Sequence, residues 1–390
     1  MPLRRFCSIW LVLAPLFFSM STRMPAQENL TPILLAVQHA PVPFTGSDGH
    51  THLVYELWLS NFSSADATVE KVDVLADDSV LQTLDTAAVT KRLQPAGQHE
   101  STATLFKGSQ SILFLHLSLP QNAPLPHQLS HRVTAHISAA PPGHQEITDT
   151  GGSVTIDQRE VAVIAPPLRG DGFVSADSCC DASRHTRAAL PVNGRVWVAQ
   201  RYAVDWEEID SQLRIYSGPV DKPESYTIFG KPVFAVADAI VVSATDGMPE
   251  QTPGKYPAFI SPADADGDSV ILDLGQQRYA LYAHMQTSSI KVHRGDKVKT
   301  GQVLGLVGNS GNSVAPHLHF QLMDAPSSLA SSGLPYEIDS YTVTGKSPGT
   351  EAFDEAEAKG TALAVTPFSP SLHITRGLPL DQLVISFPAH

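Results

Sequence analysis

Cysteine is nearly absent from this chain, with three in 390 residues, at positions 7, 179 and 180. Cys7 lies inside an apolar N-terminal stretch rather than after it, so it is not placed for lipid attachment. Cys179 and Cys180 are adjacent, without the spacer of two or more residues that structural zinc pairs keep. A vicinal disulfide in an oxidising compartment, or pairing with another molecule, is what remains for them. Positive charge is also short: 26 Lys and Arg stand against 39 Asp and Glu, a net −13 with histidine neutral. That balance argues against nucleic acid and anionic lipid as partners. No G-x-S-x-G elbow occurs, so a serine nucleophile has no support, and Cys179 has no positioned base. No internal repeat stands out.

What the chain does have is punctuation. Thirty prolines and 26 glycines favour many short elements between turns, an all-β tendency. Its length predicts two or three domains. Arg4 and Arg5 precede FCSIWLVLAPLFFSM (6–20), an apolar stretch too short and too Pro-broken for a stable span. This reads as a signal peptide over 1–26, ending near Ala26, with an uncleaved anchor as the alternative. Removing it takes away Arg4, Arg5 and Arg23, leaving 23 basic against 39 acidic residues and no membrane span. The expected location is the periplasm, the cell envelope or the exterior.

Alternating segments at 54–62, 69–76, 111–119, 131–138 and 159–165 predict an immunoglobulin-like β-sandwich over 27–165. APPLRGDG (165–172) is a linker candidate. A second β-rich domain is expected over 166–345, followed by a C-terminal extension over 346–390. There EAFDEAEAKG suggests a short helix and LVISF a strand.

PHLHFQL (316–322) sets two histidines one residue apart on an apolar background. On a strand, His317, His319 and Gln321 share one face while Leu318, Phe320 and Leu322 share the other. Zinc hydrolysis needs about three nitrogen or oxygen ligands and an open position. His284 and Asp205 are the other candidates in this region. GHTHL gives His50 and His52 the same spacing without clustered ligands, so surface positions are expected there. DADGDS (264–269) lacks the calcium-loop spacing and reads as a turn.

YAHM (282–285), GDKVKTGQVLGLVGNSGNS (295–313), PHLHFQL and GKPVFAVADAIVVSATDG (230–247) resemble, in order and spacing, the lysostaphin/LytM-type zinc endopeptidases, which cleave peptidoglycan cross-bridges and stem peptides. The resemblance covers roughly residues 195–325. It implies a small antiparallel β-groove holding one zinc ion, with Asp205 and His319 as ligands. It implies that His317 accepts the proton of the attacking water and that His284 hydrogen-bonds the developing oxyanion. Tyr282, Asn309 and Arg201 are the expected substrate contacts.

One position departs from the pattern. Arg201 stands four residues before Asp205, where the family has its first histidine ligand, and guanidinium has no lone pair to give a metal. Three readings follow. His185, in the upstream CCDASRHTRAAL loop, replaces the ligand and the chain remains a peptidoglycan endopeptidase. Alternatively the domain is a non-catalytic module that binds cell-wall peptide, with Arg201 on a carboxylate. The third reading makes it an activator of a partner wall hydrolase. A salt bridge between Arg201 and Asp205 is the simplest structural role for the arginine.

Overall fold

The computed structural model describes residues 28–77 and 79–389. The expected signal segment, 1–26, lies outside the described residues. Among those described, no helix is long and apolar enough to cross a membrane.

The N-terminal region is two five-stranded sheets around one core. One contains Thr51–Asn61 and Gln110–Leu119, paired antiparallel over ten residues. The other is centred on Ala67–Ala76 and Gln128–His136. Alternation explains the packing: Leu53, Tyr55, Leu57 and Leu59 enter the core between the sheets. Burying four such side chains contributes roughly 1.5–3 kcal/mol each before entropy is counted. The opposite face of the same strand carries His52, Val54, Glu56 and Trp58, and it too is buried, against the second region.

The second region is built on a twelve-stranded sheet, antiparallel except at one edge, where Ala162–Ile164 pairs parallel with Tyr336–Lys346. From that edge the order runs through Leu383–Phe387, Gly170–Ala176, Val204–Glu208, Leu318–Met323, Tyr279–Met285 and Asp268–Asp273 to Ala239–Thr245. The C-terminal extension therefore shares the sheet of the second domain. Its helix, Thr350–Lys359, ends at Gly360, whose left-handed φ of 62° lets two N–H groups close on the last turn. Among the described residues the fold is all-β apart from this helix and two short turns of helix. The residues of DADGDS form a turn and enter a strand only at Asp268.

Candidate active site

The strands Val204–Glu208 and Leu318–Met323 pair with Asp205 opposite His319. Alternation sends Leu318, Phe320 and Leu322 into the core and His319 and Gln321 to the other face, as the sequence predicts. His319 Nδ1 lies 2.9 Å from Asp205 Oδ1, and Gln321 Oε1 accepts from His319 Nε2 at 2.9 Å. That second bond fixes the tautomer and leaves Nδ1 free for a cation. His317, just before the strand, brings Nε2 to 3.4 Å from Asp205 Oδ1, while its Nδ1–H donates to Ala315 O at 2.8 Å.

His284 needs a distortion to arrive. It shares strand parity with Tyr282, which is buried opposite Phe320 in the core, so a regular strand would bury His284 the same way. Between the pairs Val270–Tyr282 and Asp268–Met285 the register slips by one residue, a β-bulge, and His284 adopts φ 58°. The bulge re-aims the ring into the groove, where it sits 4.7 Å from His317 centroid to centroid. Its backbone N–H donates to Asp266 O, and its Nδ1–H donates to Ser310 O at 2.8 Å. Ser310 is held by a close backbone crossing: a Cβ on Gly311 would lie 2.3 Å from Gly267 N. GNSGNS is glycine-rich for this contact.

His185 is the residue whose place no spacing could give. Its loop brings Nε2 to 3.4 Å from Asp205 Oδ2, and Nδ1–H donates to Asp177 O at 3.0 Å. One ligand atom each from His185, Asp205 and His319 lies within 4.8 Å of the others. Two imidazoles and a carboxylate, each imidazole oriented by a second hydrogen bond, fit a zinc ion. Burial opposes a charge on His185, but Asp205 overrides it and raises its pKa to about 9. Burial likewise opposes ionising Asp205, and the surrounding histidines, His185 first, hold its carboxyl well below the usual range. Burial, then the His317 and His319 charges, push His284 far down, so it is neutral.

The three expected substrate contacts lie elsewhere. Arg201 is buried and points away from the site: Nε and Nη2 donate to the two carboxylate oxygens of Glu56 at 2.8 and 2.6 Å. It thus pairs with the N-terminal region and not with Asp205. Tyr282 is fully buried and its hydroxyl accepts from Val236 N–H at 2.9 Å. Asn309 is buried in its own turn, bonded to Gln251 O and Ser313. All three build the domain and none lines the groove.

The surface expectation for His50 and His52 holds only in part. His50 is half-exposed, but His52 is buried at the junction, with Nδ1 2.8 Å from His116 Nε2 and Nε2 2.9 Å from Asp48. Cys179 and Cys180 form the vicinal disulfide, which puts the Cys180 sulfur beside these rings, bonded and not a thiolate.

The groove opens into a cavity of about 520 Å³ whose walls include His185, Asp205, His284, His317 and His319. Five further acids line it: Asp177, Glu207, Asp266, Asp354 and Glu357. Sequence reasoning missed them, although the i, i+2 spacing of Asp205 and Glu207 was there to see.

Residues 226–330 match the model of peptidase family M23. This segment is an M23 peptidase domain. It carries His284, His317 and His319, whereas His185 and Asp205 precede the matched residues. The chain is 33% identical over 184 residues to the peptidoglycan DD-endopeptidase ShyA of Vibrio cholerae, covering 41% of this chain and 37% of that one. It is 52% identical over 42 residues to lysostaphin of Staphylococcus simulans, 11% of this chain and 8% of that one. The chain thus spans little more than a third of the first of these relatives, and less of the other. The solved catalytic domain of the Staphylococcus simulans enzyme overlaps 42% of this chain and 88% of its own, at 23% identity and a TM-score of 0.23. The M23 assignment rests on the sequence matches and not on that score.

Proposed function

We propose that this chain is an exported zinc-dependent endopeptidase acting on peptidoglycan peptides, with His185 as the third ligand beside Asp205 and His319. The observation that carries it is the approach of His185 Nε2 to Asp205 with Nδ1 tied to Asp177 O. Zinc at these three residues would polarise a peptide carbonyl and acidify a water molecule. The non-catalytic and activator readings drew on a missing ligand, and the position of His185 argues against them.

Burial and hydrogen bonding support exchanging the two roles that the resemblance implies. A backbone carbonyl can only accept, so Ser310 O and Ala315 O each take an Nδ1–H, leaving both Nε2 atoms toward the groove. His284, held neutral, presents a lone pair at Nε2 and is the proton acceptor. His317, with Nε2 3.4 Å from Asp205, is the ring beside a carboxylate and the one we assign to stabilising the developing oxyanion.

Metal analysis and wall digestion test the reading. The purified protein is expected to hold about one zinc per chain and to digest isolated peptidoglycan without a partner. His319→Ala and His185→Ala should each weaken zinc by roughly 100-fold or more. Unchanged zinc in His185→Ala removes it from the ligand set; zinc-loaded protein that leaves peptidoglycan intact removes the peptidase reading.

A further inference from the structure

Four acids of the groove cavity, Asp177, Glu207, Asp354 and Glu357, lie beyond the zinc ligands and have no task in the chemistry above. Asp205 and Glu207 share a strand face, about 7 Å apart along the chain. The helix Thr350–Lys359 supplies Asp354 and Glu357, three residues apart on one face, and Asp177 follows the strand that pairs with Asp205. Among the described residues Arg184 is the only Lys or Arg lining this cavity, and its guanidinium is taken by Asp177 and Asp354 at 2.8 and 2.5 Å. Glu207 and Glu357 form no ion pair among the described residues.

What points to a ligand is the unmet hydrogen bonding. Glu207 is 7% exposed and Asp177 4%, yet Glu207 Oε2 and Asp177 Oδ1 are buried without a partner. Glu357 Oε1 is in the same state, and Gln382, 1% exposed, has neither amide atom bonded. All four side chains line the same cavity. Buried acceptors left unmet are costly, and four around one space mark a place for a donor. Nor do these carboxylates converge as metal ligands do: the described residues give compact three-ligand groups only at His52, His284 and His185. A larger, multiply donating cation suits them better.

We propose that this wall is a subsite for an ammonium group of the peptide substrate, either an α-amine or an amino side chain, within about two residues of the bond presented to the histidines. The proposal rests on the peptidase reading for its substrate class. Asp177, Glu207 and Glu357 lie outside the matched M23 segment. An ammonium offers three donors, and Glu207, Glu357 and Asp177 offer the acceptors.

Calorimetric binding of three peptides to the purified full chain tests it. The probes are triglycine amide, its N-acetylated form, and N-acetyl-diglycyl-lysine amide. Either ammonium peptide is expected to bind at least tenfold tighter than acetyl-triglycine amide, and which one does identifies the source of the amine. In Glu207→Gln, and separately in Glu357→Gln, the ratio should fall to within twofold of unity, with zinc content unchanged. A ratio near one in the wild type, or one unaltered in both variants, overturns the proposal; the carboxylates then share a proton. Calcium binding that depends on Glu207, without amine preference, overturns it in favour of a metal. Binding preference without hydrolysis leaves the subsite standing and sinks the peptidase reading, whereas hydrolysis without preference does the reverse.

Discussion

Two H-x-H pairs occur in this chain, and both second histidines are buried, yet they do different things. His319 faces Asp205, and His185 brings a third ligand atom to the same point. His52 faces His116 and Asp48, and the third group beside the two rings is the disulfide-bonded sulfur of Cys180. The second network closes on itself: His116 reaches Asp181, which also pairs with Arg92. Burial works against ionising Asp181, and these partners overcome it and hold its carboxyl well below the ordinary range. A histidine pair becomes a metal site when a third group able to donate a lone pair converges with a histidine and a carboxylate. At the junction the third group is a disulfide sulfur.

The strand Thr51–Asn61 is where this contrast breaks most readily. Glu56, two turns of the pleat beyond His52, is the partner that takes Arg201 away from the metal position. Removing one member of a buried bidentate pair is expected to cost about 3–5 kcal/mol. Glu56→Gln should show this in urea unfolding. Arg201→His, which restores the family residue, should lose a similar amount and gain no zinc affinity, because its backbone directs the side chain to Glu56 and His185 occupies the place beside Asp205. A gain in zinc affinity would mean that the arginine only displaced a ligand.

A smaller effect lies on the inner face of the same strand. Tyr55 hydroxyl donates to His131 Nε2 at 2.9 Å and His131 Nδ1–H donates to Gly152 O, so the imidazole is held neutral. Burial lowers its pKa to about 4, against 6.5 when unfolded. Between those values the unfolded chain binds the extra proton, so stability present above pH 6.5 is lost as pH falls to 4, by about 3 kcal/mol. The unfolding midpoint of the N-terminal region should follow this slope, and His131→Phe should flatten it. An equal slope in the variant would place the titrating group elsewhere. His185 has the opposite sense: its raised pKa makes the metal-free groove lose stability as pH rises through about 9.

Local pattern carried much of this structure. The face shared by His317 and His319, the hairpin glycines and the short helix at EAFDEAEAKG are all legible because they depend on neighbours within a few residues. The groove histidine His284 was legible by resemblance alone, since its strand parity points it into the core and only the bulge corrects that. His185 and Arg201 were not legible as to place. Their partners Asp205 and Glu56 lie 20 and 145 residues away, and both sides of each pair are fixed by sheet assembly. Tyr282 and Asn309 were misplaced because a motif residue that holds the fold looks the same, in sequence, as one that holds a ligand.

The least disruptive way to sharpen the contrast is to replace each second histidine by phenylalanine, which keeps a ring and removes the nitrogens. His52 stacks on His116 at 5.1 Å and on Phe44 at 5.5 Å, so His52→Phe keeps the packing and loses its hydrogen bonds to His116 and Asp48. Asp48 is part-exposed and recovers water, so the expected loss is only about 1 kcal/mol, with zinc content and hydrolysis unchanged. His319→Phe, at the same spacing in its own motif, should abolish zinc binding. If His52→Phe also lowers zinc content while its circular dichroism stays that of the wild type, the junction is coupled to the groove. The two pairs would then be parts of one device, the second acting through Glu56 and Arg201 on the strand that holds Asp205.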